Sequence, residues 1–358
     1  RGIRVVLDGV FNHTGRHFWA FRDVQQNRAN SAYCSWFSGL RFDQSNPCGD
    51  GFNYDTWAGF HELVKLNLHI PDVRRHLLDA VAMWIERYGI DGLRLDAADV
   101  LDRDFQRELA GFCRQRRADF WLMGEVVHGD YRQWAHPGAL DSVTNYEAYK
   151  GLFSSLNDRN YFEIAYALQR QSGAGGLYAG LSLYNFVDNH DVDRVASRLH
   201  DPAHLYPLYA LLFTMPGVPS IYYGSEFGLT GKKNGSDAPL RPTIDLAQLQ
   251  QNAPQPDLRT AIQRLIGLRQ TLPALQTGGY EQIHVSPAQL VFKRQAGAQS
   301  VIVALNADRA PASVTINLNL PDGLLSDALN PPDQIAVHHG RATLSVPPHW
   351  GRLLVQEG

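Results

Sequence analysis

The feature that most constrains the fold of this 358-residue chain is an apolar stretch that ends in a carboxylate, IDGLRLDAAD at 90–99. Residues 92–96 are bounded by glycine and rich in bulky apolar side chains, which predicts a short buried strand. Because side chains alternate along a strand, Arg94 and Asp96 should share one face, opposite the two leucines. The paired charges indicate either a site at the strand's carboxyl end or a buried structural ion pair, and in both cases Arg94 would favour ionised Asp96.

Strand and helix alternate six times along the first three quarters of the chain. Apolar runs of strand length are separated by segments with apolar residues at helical spacing, and polar side chains gather where the strands end. This order predicts a (β/α) barrel whose site lies on the carboxyl face of the strands. The predicted strands are 3–8, 92–96, 120–125, a short one at 143, 183–187 and 218–223. The predicted helices are 71–88, 102–115, 146–156, 160–171, 203–214 and 258–269.

The remaining segments indicate the domain organisation. Residues 14–66 lack sustained periodicity, which predicts a long functional loop or small subdomain after the first strand. From residue 276 the pattern changes to alternating strands separated by turn residues. Those strands are predicted at 281–285, 289–294, 300–305, 313–317, 342–346 and 351–355. The predicted fold is therefore α/β: a (β/α)8 TIM barrel, of which strands 3 to 8 lie in 1–275, followed by a C-terminal antiparallel β-sandwich at 276–358. The first two barrel units are expected upstream of Arg1.

Composition excludes several classes of partner. A net charge of −3 gives no electrostatic basis for binding nucleic acid or an anionic membrane, and no apolar run approaches the ~20 residues of a membrane span. Three cysteines are too few for a disulfide framework: Cys34 and Cys48 could pair across one loop, and Cys113 is expected as a buried thiol in a helix. The odd count favours a reducing compartment, so we expect a cytoplasmic protein. Neither CxxC nor HExxH spacing occurs to indicate zinc.

Three acidic residues end three predicted strands: Asp96, Glu125 and Asp191. In a barrel those strand ends meet at one mouth. Two carboxylates facing one bond are the minimum for retaining glycoside hydrolysis, in which one attacks the anomeric carbon while the other protonates the leaving oxygen and then activates water. The acid needs the higher pKa. Asp96 has Arg94 close in sequence, whereas Glu125 follows an apolar run with no adjacent cation. We therefore expect the surroundings of Glu125 to give it the higher pKa of the two.

Four motifs resemble the ordered sequence regions of the α-amylase family of glycoside hydrolases. They are DGVFNH at 8–13, GLRLD at 92–96, GEVVH at 124–128 and FVDNHD at 186–191. They occur in the family's order, each at a predicted strand end, and the likeness covers essentially the whole chain. The resemblance implies that Asp96 is the nucleophile, Glu125 the general acid/base and Asp191 a third carboxylate that grips hydroxyls of the distorted sugar.

The resemblance also implies further contacts with the substrate. These are Arg94 against the nucleophile, His13 and His190 as hydrogen-bond donors around the same sugar, and Asp99 and His128 on the acceptor side. Asn12 matches a position that often helps to hold calcium in the family and is the one metal ligand carried over. No organic cofactor is implied. A histidine such as His13 would more often belong to the core, but the neighbouring carboxylates favour a functional role.

One branch of the family is closer in pattern than the others. VKLN at 64–67 is similar to the MPKLN stretch of the neopullulanase and cyclomaltodextrinase branch, and GEVVH is similar to its GEIWH. Val64, Asp99 and Val127 depart from the proline, asparagine and tryptophan of that branch. We therefore expect cleavage of α-1,4 bonds in starch-derived α-glucan oligosaccharides, with cyclomaltodextrinase, neopullulanase or glucanotransferase activity as alternatives. A non-catalytic binding relative is a further alternative, although such relatives lose carboxylates that this chain retains.

Overall fold

The computed structural model describes residues 1–318 and 320–356, and the chain divides into two compact units, Arg1–Thr144 and Asn145–Gly358. None of the helices in these described ranges has the length and apolar character that a membrane span requires. The domain boundary predicted at residue 276 stays a prediction.

The first unit contains the predicted strand–helix alternation. Its strands and helices are, in chain order, β1 (Val6–Gly9), β2 (His13–Gly15), α1 (Trp19–Asn27), β3 (Thr56–Trp57), β4 (Phe60–Lys65), α2 (Pro71–Tyr88), β5 (Gly92–Leu95), α3 (Arg103–Arg116), β6 (Trp121–Gly124) and β7 (Ser142–Val143). β1, β5, β6 and β7 form a parallel sheet in that order. The four predicted strands are confirmed, although the first begins at Val6 rather than at residue 3.

Helix α2 shows why the βα pattern could be recognised from the residues. Pro71 occupies the first turn, where its missing N–H costs nothing, and Gly89 ends the helix in the left-handed conformation at φ 62°. Val73 and Val81 are buried, as expected for the apolar face of an amphipathic helix. The predicted bounds 71–88 are confirmed.

The segment 14–66 is more ordered than its sequence predicts. It contains helix α1 and an antiparallel sheet in the order β2-β4-β3. Its aromatic residues form a local core: the ring of Phe21 lies 5.1 Å from that of Phe37 and 5.0 Å from that of Tyr54. A nine-residue helix repeats its apolar spacing too few times to stand out in the sequence. The segment is therefore not irregular throughout, and the choice between a long loop and a small subdomain stays a prediction.

All three cysteines are free thiols. The pairing considered for Cys34 and Cys48 does not form, since Cys34 Sγ contacts the Arg28 carbonyl oxygen at 3.2 Å and Cys48 Sγ contacts Glu62 at 3.5 Å. Cys113 is fully buried in α3, as predicted, and burial raises the pKa of its thiol to about 12.

The second unit begins with the remaining barrel-like elements. Its strands and helices are α4 (Tyr146–Asn157), α5 (Tyr161–Ser172), β8 (Tyr184–Asn185), α6 (Val195–Arg198), α7 (Leu205–Thr214), β9 (Val218–Pro219), α8 (Leu246–Gln251), α9 (Leu258–Thr271), α10 (Pro273–Thr277), β10 (Gly279–Val285), β11 (Gln289–Ala296), β12 (Gln299–Asn306), β13 (Ala312–Asn317), β14 (Gly323–Asp327), β15 (Gln334–Val337), β16 (Arg341–Val346) and β17 (Trp350–Gln356). β8 and β9 pair in parallel, as two residues each. Within 1–318 and 320–356, the parallel strands do not form one closed sheet, so the closed barrel stays a prediction.

The C-terminal region of this unit is antiparallel, as predicted. A six-stranded sheet has the order β10-β11-β12-β17-β14-β15, and β13 pairs with β16 in a second sheet. Ile302 and Leu354 of the large sheet pack with Ile316 and Leu344 of the small one, which is the arrangement of a sandwich. The strands β14 and β15 were not predicted, because they are short and only partly apolar.

The large sheet also packs on helices of the same unit. Phe292 and Leu353 share one buried cluster with Leu208 of α7 and Ile262 of α9. The strands and these helices are therefore joined by a continuous apolar core.

Candidate active site

One guanidinium, that of Arg94, binds three carboxylates at the carboxyl ends of β1, β5 and β6. Its Nη1 lies 2.7 Å from Asp8 Oδ1 and 2.8 Å from Asp96 Oδ1, and its Nη2 lies 2.8 Å from Glu125 Oε2. The side chain is only 15% exposed. Parallel register explains the cluster, since Asp8 lies directly beside Arg94 and strand alternation places Arg94 and Asp96 on one face.

The environment of Glu125 differs from the one its sequence predicts. No cation is adjacent to it along the chain, but Arg94 reaches it from the neighbouring strand, where Arg94 is paired with Met123. Glu125 Oε2 also accepts a hydrogen bond from the Ala97 amide at 3.2 Å. The expected contrast, a cation beside Asp96 and none beside Glu125, is therefore wrong. Sequence adjacency missed the cross-strand neighbour.

The same guanidinium holds the two carboxyl groups close together. Burial by itself would lower the pKa of Arg94, but Glu125, Asp8 and Asp96 outweigh it and raise that pKa. Arg94 is consequently a permanent cation. Because Asp96 and Glu125 each accept from one terminal nitrogen of a rigid fork, their carboxyl groups face a common space, as two residues acting on one glycosidic bond must.

His13 lies beside Asp96. It is 6% exposed, and its Nε2 is 3.9 Å from Asp96 Oδ2. Burial lowers the pKa of the imidazole, and Asp96 opposes that effect only partly. The Trp57 ring lies 5.5 Å from the imidazole and stacks on Phe60 at 6.0 Å. Since Phe60 is 59% exposed, an aromatic surface leads from solvent to the carboxylates, built by the segment 14–66.

Asn12 is the residue at which the resemblance implies a calcium ligand. It is buried, and its amide nitrogen lies 3.4 Å from His13 Nδ1. Across the described ranges there is no group of three or more His, Cys, Asp or Glu side chains placed to hold a metal ion. Calcium prefers six to eight oxygens, which can come from carboxylates, amide side chains and main-chain carbonyl groups. A calcium site at Asn12 stays a prediction.

Two further candidates lie near the strand ends of the first unit. Asp99 is half-buried in the turn after β5, and His128 is exposed in the loop after β6. Their acceptor-side role stays a prediction.

In the second unit, Asp191 and His190 lie in the loop after β8. Asp191 Oδ2 is 3.1 Å from His190 Nε2, and Asp191 Oδ1 accepts a hydrogen bond from Arg241 Nη2 at 2.9 Å. Arg241 also donates to the His190 carbonyl oxygen at 3.0 Å and pairs with Asp237 at 3.1 Å. Sequence reasoning gave Arg241 no part in the site, because fifty residues and several elements separate it from Asp191.

A buried polar network supports this loop. Asp188 is 1% exposed, and its Oδ2 accepts from the Val195 amide at 2.9 Å and the Ser225 hydroxyl at 2.7 Å. Burial raises the pKa of Asp188 to about 6. Arg194 is fully buried and donates to the Leu240 carbonyl oxygen at 2.8 Å. The network thus ties the Asp191 loop to the residue that precedes Arg241.

Comparison with known proteins gives a family match. Residues 1–266 match the family model described as "Alpha amylase, catalytic domain". A cyclomaltodextrinase of Geobacillus thermopakistaniensis (strain MAS1) is 30% identical over 98% of this chain and 58% of its own length, and neopullulanase 2 of Thermoactinomyces vulgaris is 32% identical over 99% and 60%. This chain therefore spans about three fifths of these curated relatives.

A solved structure shows the same similarity in three dimensions. The cyclic alpha-maltosyl-(1→6)-maltose hydrolase from Arthrobacter globiformis, in complex with cyclic alpha-maltosyl-(1→6)-maltose, is 28% identical and matches with a TM-score of 0.82. The match covers 99% of this chain and 76% of that one.

Proposed function

The chain belongs to the α-amylase family of glycoside hydrolases, and we propose that it cleaves α-1,4-glucosidic bonds of starch-derived oligosaccharides with retention of anomeric configuration. The observation that carries this proposal is the sharing of one buried guanidinium by Asp96 and Glu125. Retaining enzymes need two carboxyl groups close together, about 5–5.5 Å apart, so that one can attack while the other transfers the proton.

The proposed reaction has two steps. Asp96 attacks the anomeric carbon as the bond to the leaving oxygen breaks, and Glu125 gives its proton to that oxygen. Glu125 then takes a proton from water, which attacks the same carbon and releases Asp96. Arg94 would hold Asp96 through its Nη1, and the imidazole of His13, whose pKa is lowered by burial, would donate a hydrogen bond to a sugar hydroxyl.

The proposal assigns the third carboxylate to the same sugar ring. Asp191 and His190 would grip its hydroxyl groups, and the proposed fold that carries them is a (β/α)8 TIM barrel. Asp99 and His128 would contact the acceptor side. No organic cofactor is needed, because the chemistry is proton transfer and carboxylate attack alone. Calcium at Asn12 and a cytoplasmic location stay predictions.

A second candidate activity is that of a cyclomaltodextrinase or neopullulanase. Relatives with both names match nearly the whole chain. The exposed Phe60 ring and the half-buried Trp57 ring could stack on the apolar face of a bent glucan. Glucanotransferase activity would differ only in whether a sugar or water takes the glycosyl group. Initial products from maltodextrin, cyclomaltodextrin and pullulan would distinguish these activities.

Replacing Glu125 by glutamine tests the central role. Glu125→Gln should lower kcat on maltotriose by about 10²–10⁴-fold, because the side chain can no longer transfer a proton. Glu86→Gln, the same change at a side chain that is 71% exposed, is the matched control and should leave kcat unchanged. NMR of the first product from the wild-type enzyme should show the α-anomer. A β-anomer, or equal kcat for the wild type and Glu125→Gln, would contradict the proposal.

A further inference from the structure

A cavity of about 300 Å³ in the second unit is lined by none of the residues assigned to the reaction. It lies where the turn before β9 meets the junction between α10 and β10. The residues that matter for its chemistry are Pro216, Gly217, Gly278, Gly279, Tyr280 and Arg294.

Arg294 is a buried cation that has no carboxylate partner among residues 1–318 and 320–356. It is 1% exposed, and its acceptors are main-chain carbonyl oxygens: that of Thr214 at 2.5 Å and that of Gly278 at 2.8 Å, with Gly279 at 3.2 Å. A guanidinium has five N–H donors. In the described part of the chain, three of them find protein acceptors and two do not.

A second arginine increases the positive charge. Arg269 donates to the carbonyl oxygen of Gly217, which lines the cavity, at 2.5 Å and to that of Phe213 at 2.9 Å. Burial lowers the pKa of Arg269 to about 10. Burial, followed by repulsion from Arg269, lowers that of Arg294 to about 9. No acidic group acts on either pKa, so both side chains remain cationic near pH 7.

The main-chain contacts explain only part of this arrangement. By donating to carbonyl oxygens at 213–217 the arginines satisfy the end of α7, which carries a partial negative charge. That partial charge does not balance two full cations. Buried charges are ordinarily paired, because leaving them unpaired in a region of low dielectric is costly. The charge at this cavity is therefore incompletely compensated by the described residues.

An unused hydrogen-bond donor lies at the same cavity. Tyr280 is 6% exposed, and its hydroxyl has no hydrogen-bond partner among the described residues. A phenol, two free guanidinium N–H groups and a net positive charge together suit an oxyanion, which accepts several hydrogen bonds at once. We propose that this cavity binds a phosphate-type oxyanion, either inorganic phosphate or the phosphate group of a sugar ester.

Thermal unfolding of the full chain in millimolar inorganic phosphate tests the proposal. A ligand that binds only the folded state stabilises it, and a rise in Tm of about 3 °C is expected relative to potassium chloride at equal ionic strength. Glucose 6-phosphate in a parallel arm identifies the source: a larger rise than that with phosphate indicates a sugar ester, and an equal or smaller one indicates the free ion. An equal rise with chloride, or no rise with either phosphate compound, would overturn the proposal.

Gly279 offers a matched pair of variants. A side-chain carbon there would meet no atom within 4 Å, and its φ is not in the left-handed region, so substitution is tolerated. Gly279→Asp supplies an internal carboxylate at the cavity and should raise Tm in chloride while abolishing the phosphate shift. Gly279→Asn has the same size without the charge and should retain the shift. Equal phosphate shifts in the two variants would refute the assignment to this cavity.

Discussion

Two arginines with similar partners lie in different surroundings. Arg94 binds two carboxylates that we assign to the reaction, Asp96 and Glu125, and Arg241 binds one, Asp191. Arg94 projects from strand β5 and is 15% exposed, with three acidic partners. Arg241 lies in a loop and is 44% exposed, with two. The residue types and distances are nearly the same, but the burial is not.

This difference shows how burial determines what an ion pair contributes. Exposed pairs interact through water and are worth about 0–1 kcal/mol, whereas removing one partner of a buried cluster leaves charges that water cannot reach. The strand also fixes Arg94, while Arg241 depends on a buried network around Arg194 for the placement of its loop. We therefore expect the Arg94 cluster to be much less tolerant of change.

The largest effect is expected for Arg94→Lys. Lysine keeps the charge but has no planar fork, so it cannot donate to Asp96 and Glu125 in the present geometry. kcat on maltotriose should fall about 100-fold or more, and Tm should fall by several degrees in calorimetry. Arg75→Lys, at a residue 69% exposed that pairs with Asp72, should change neither. Wild-type kcat in Arg94→Lys would show that the shared guanidinium is dispensable.

An intermediate effect is expected for Asp188→Asn, which replaces the carboxyl group in the buried network that supports the Asp191 loop. Asp188 has a folded pKa of about 6, above its ordinary value, so the folded state binds the proton more tightly. Its contribution to stability is complete below about pH 4 and is lost as pH rises through about 6. Asp188→Asn cannot titrate, and the variant should gain stability relative to wild type across that window, by about 3 kcal/mol. Urea unfolding at several pH values measures this difference, and a pH-independent difference would contradict the assigned pKa.

The smallest effect is expected for Arg241→Lys. Since the side chains of Arg241 and Asp191 are 44% and 36% exposed, kcat/KM should fall less than about fivefold, with unchanged Tm. A loss of activity as large as that in Arg94→Lys would contradict this interpretation. It would mean that solvent exposure does not determine how much these ion pairs contribute to activity.

The features that could be predicted from the sequence are those that depend on residues close together along the chain. The strand at Arg94 and Asp96 and the helix opened by Pro71 depend on alternation and capping, which a sequence displays directly. The cation near Glu125 depends on strand register, and the link between Arg241 and Asp191 depends on a long chain excursion. Neither leaves a local signal. Helix α1 and strands β14 and β15 were missed because they are too short for periodicity to separate them from loops.

The shared guanidinium also has a consequence for the order of events in the proposed reaction. When Asp96 becomes an ester to the sugar, it no longer carries charge, and Arg94 is left with one anionic neighbour fewer. Arg94 would then hold Glu125 with less competition from Asp96. Glu125 is the side chain proposed to accept a proton from incoming water, so formation of the sugar ester would itself prepare the residue that removes it.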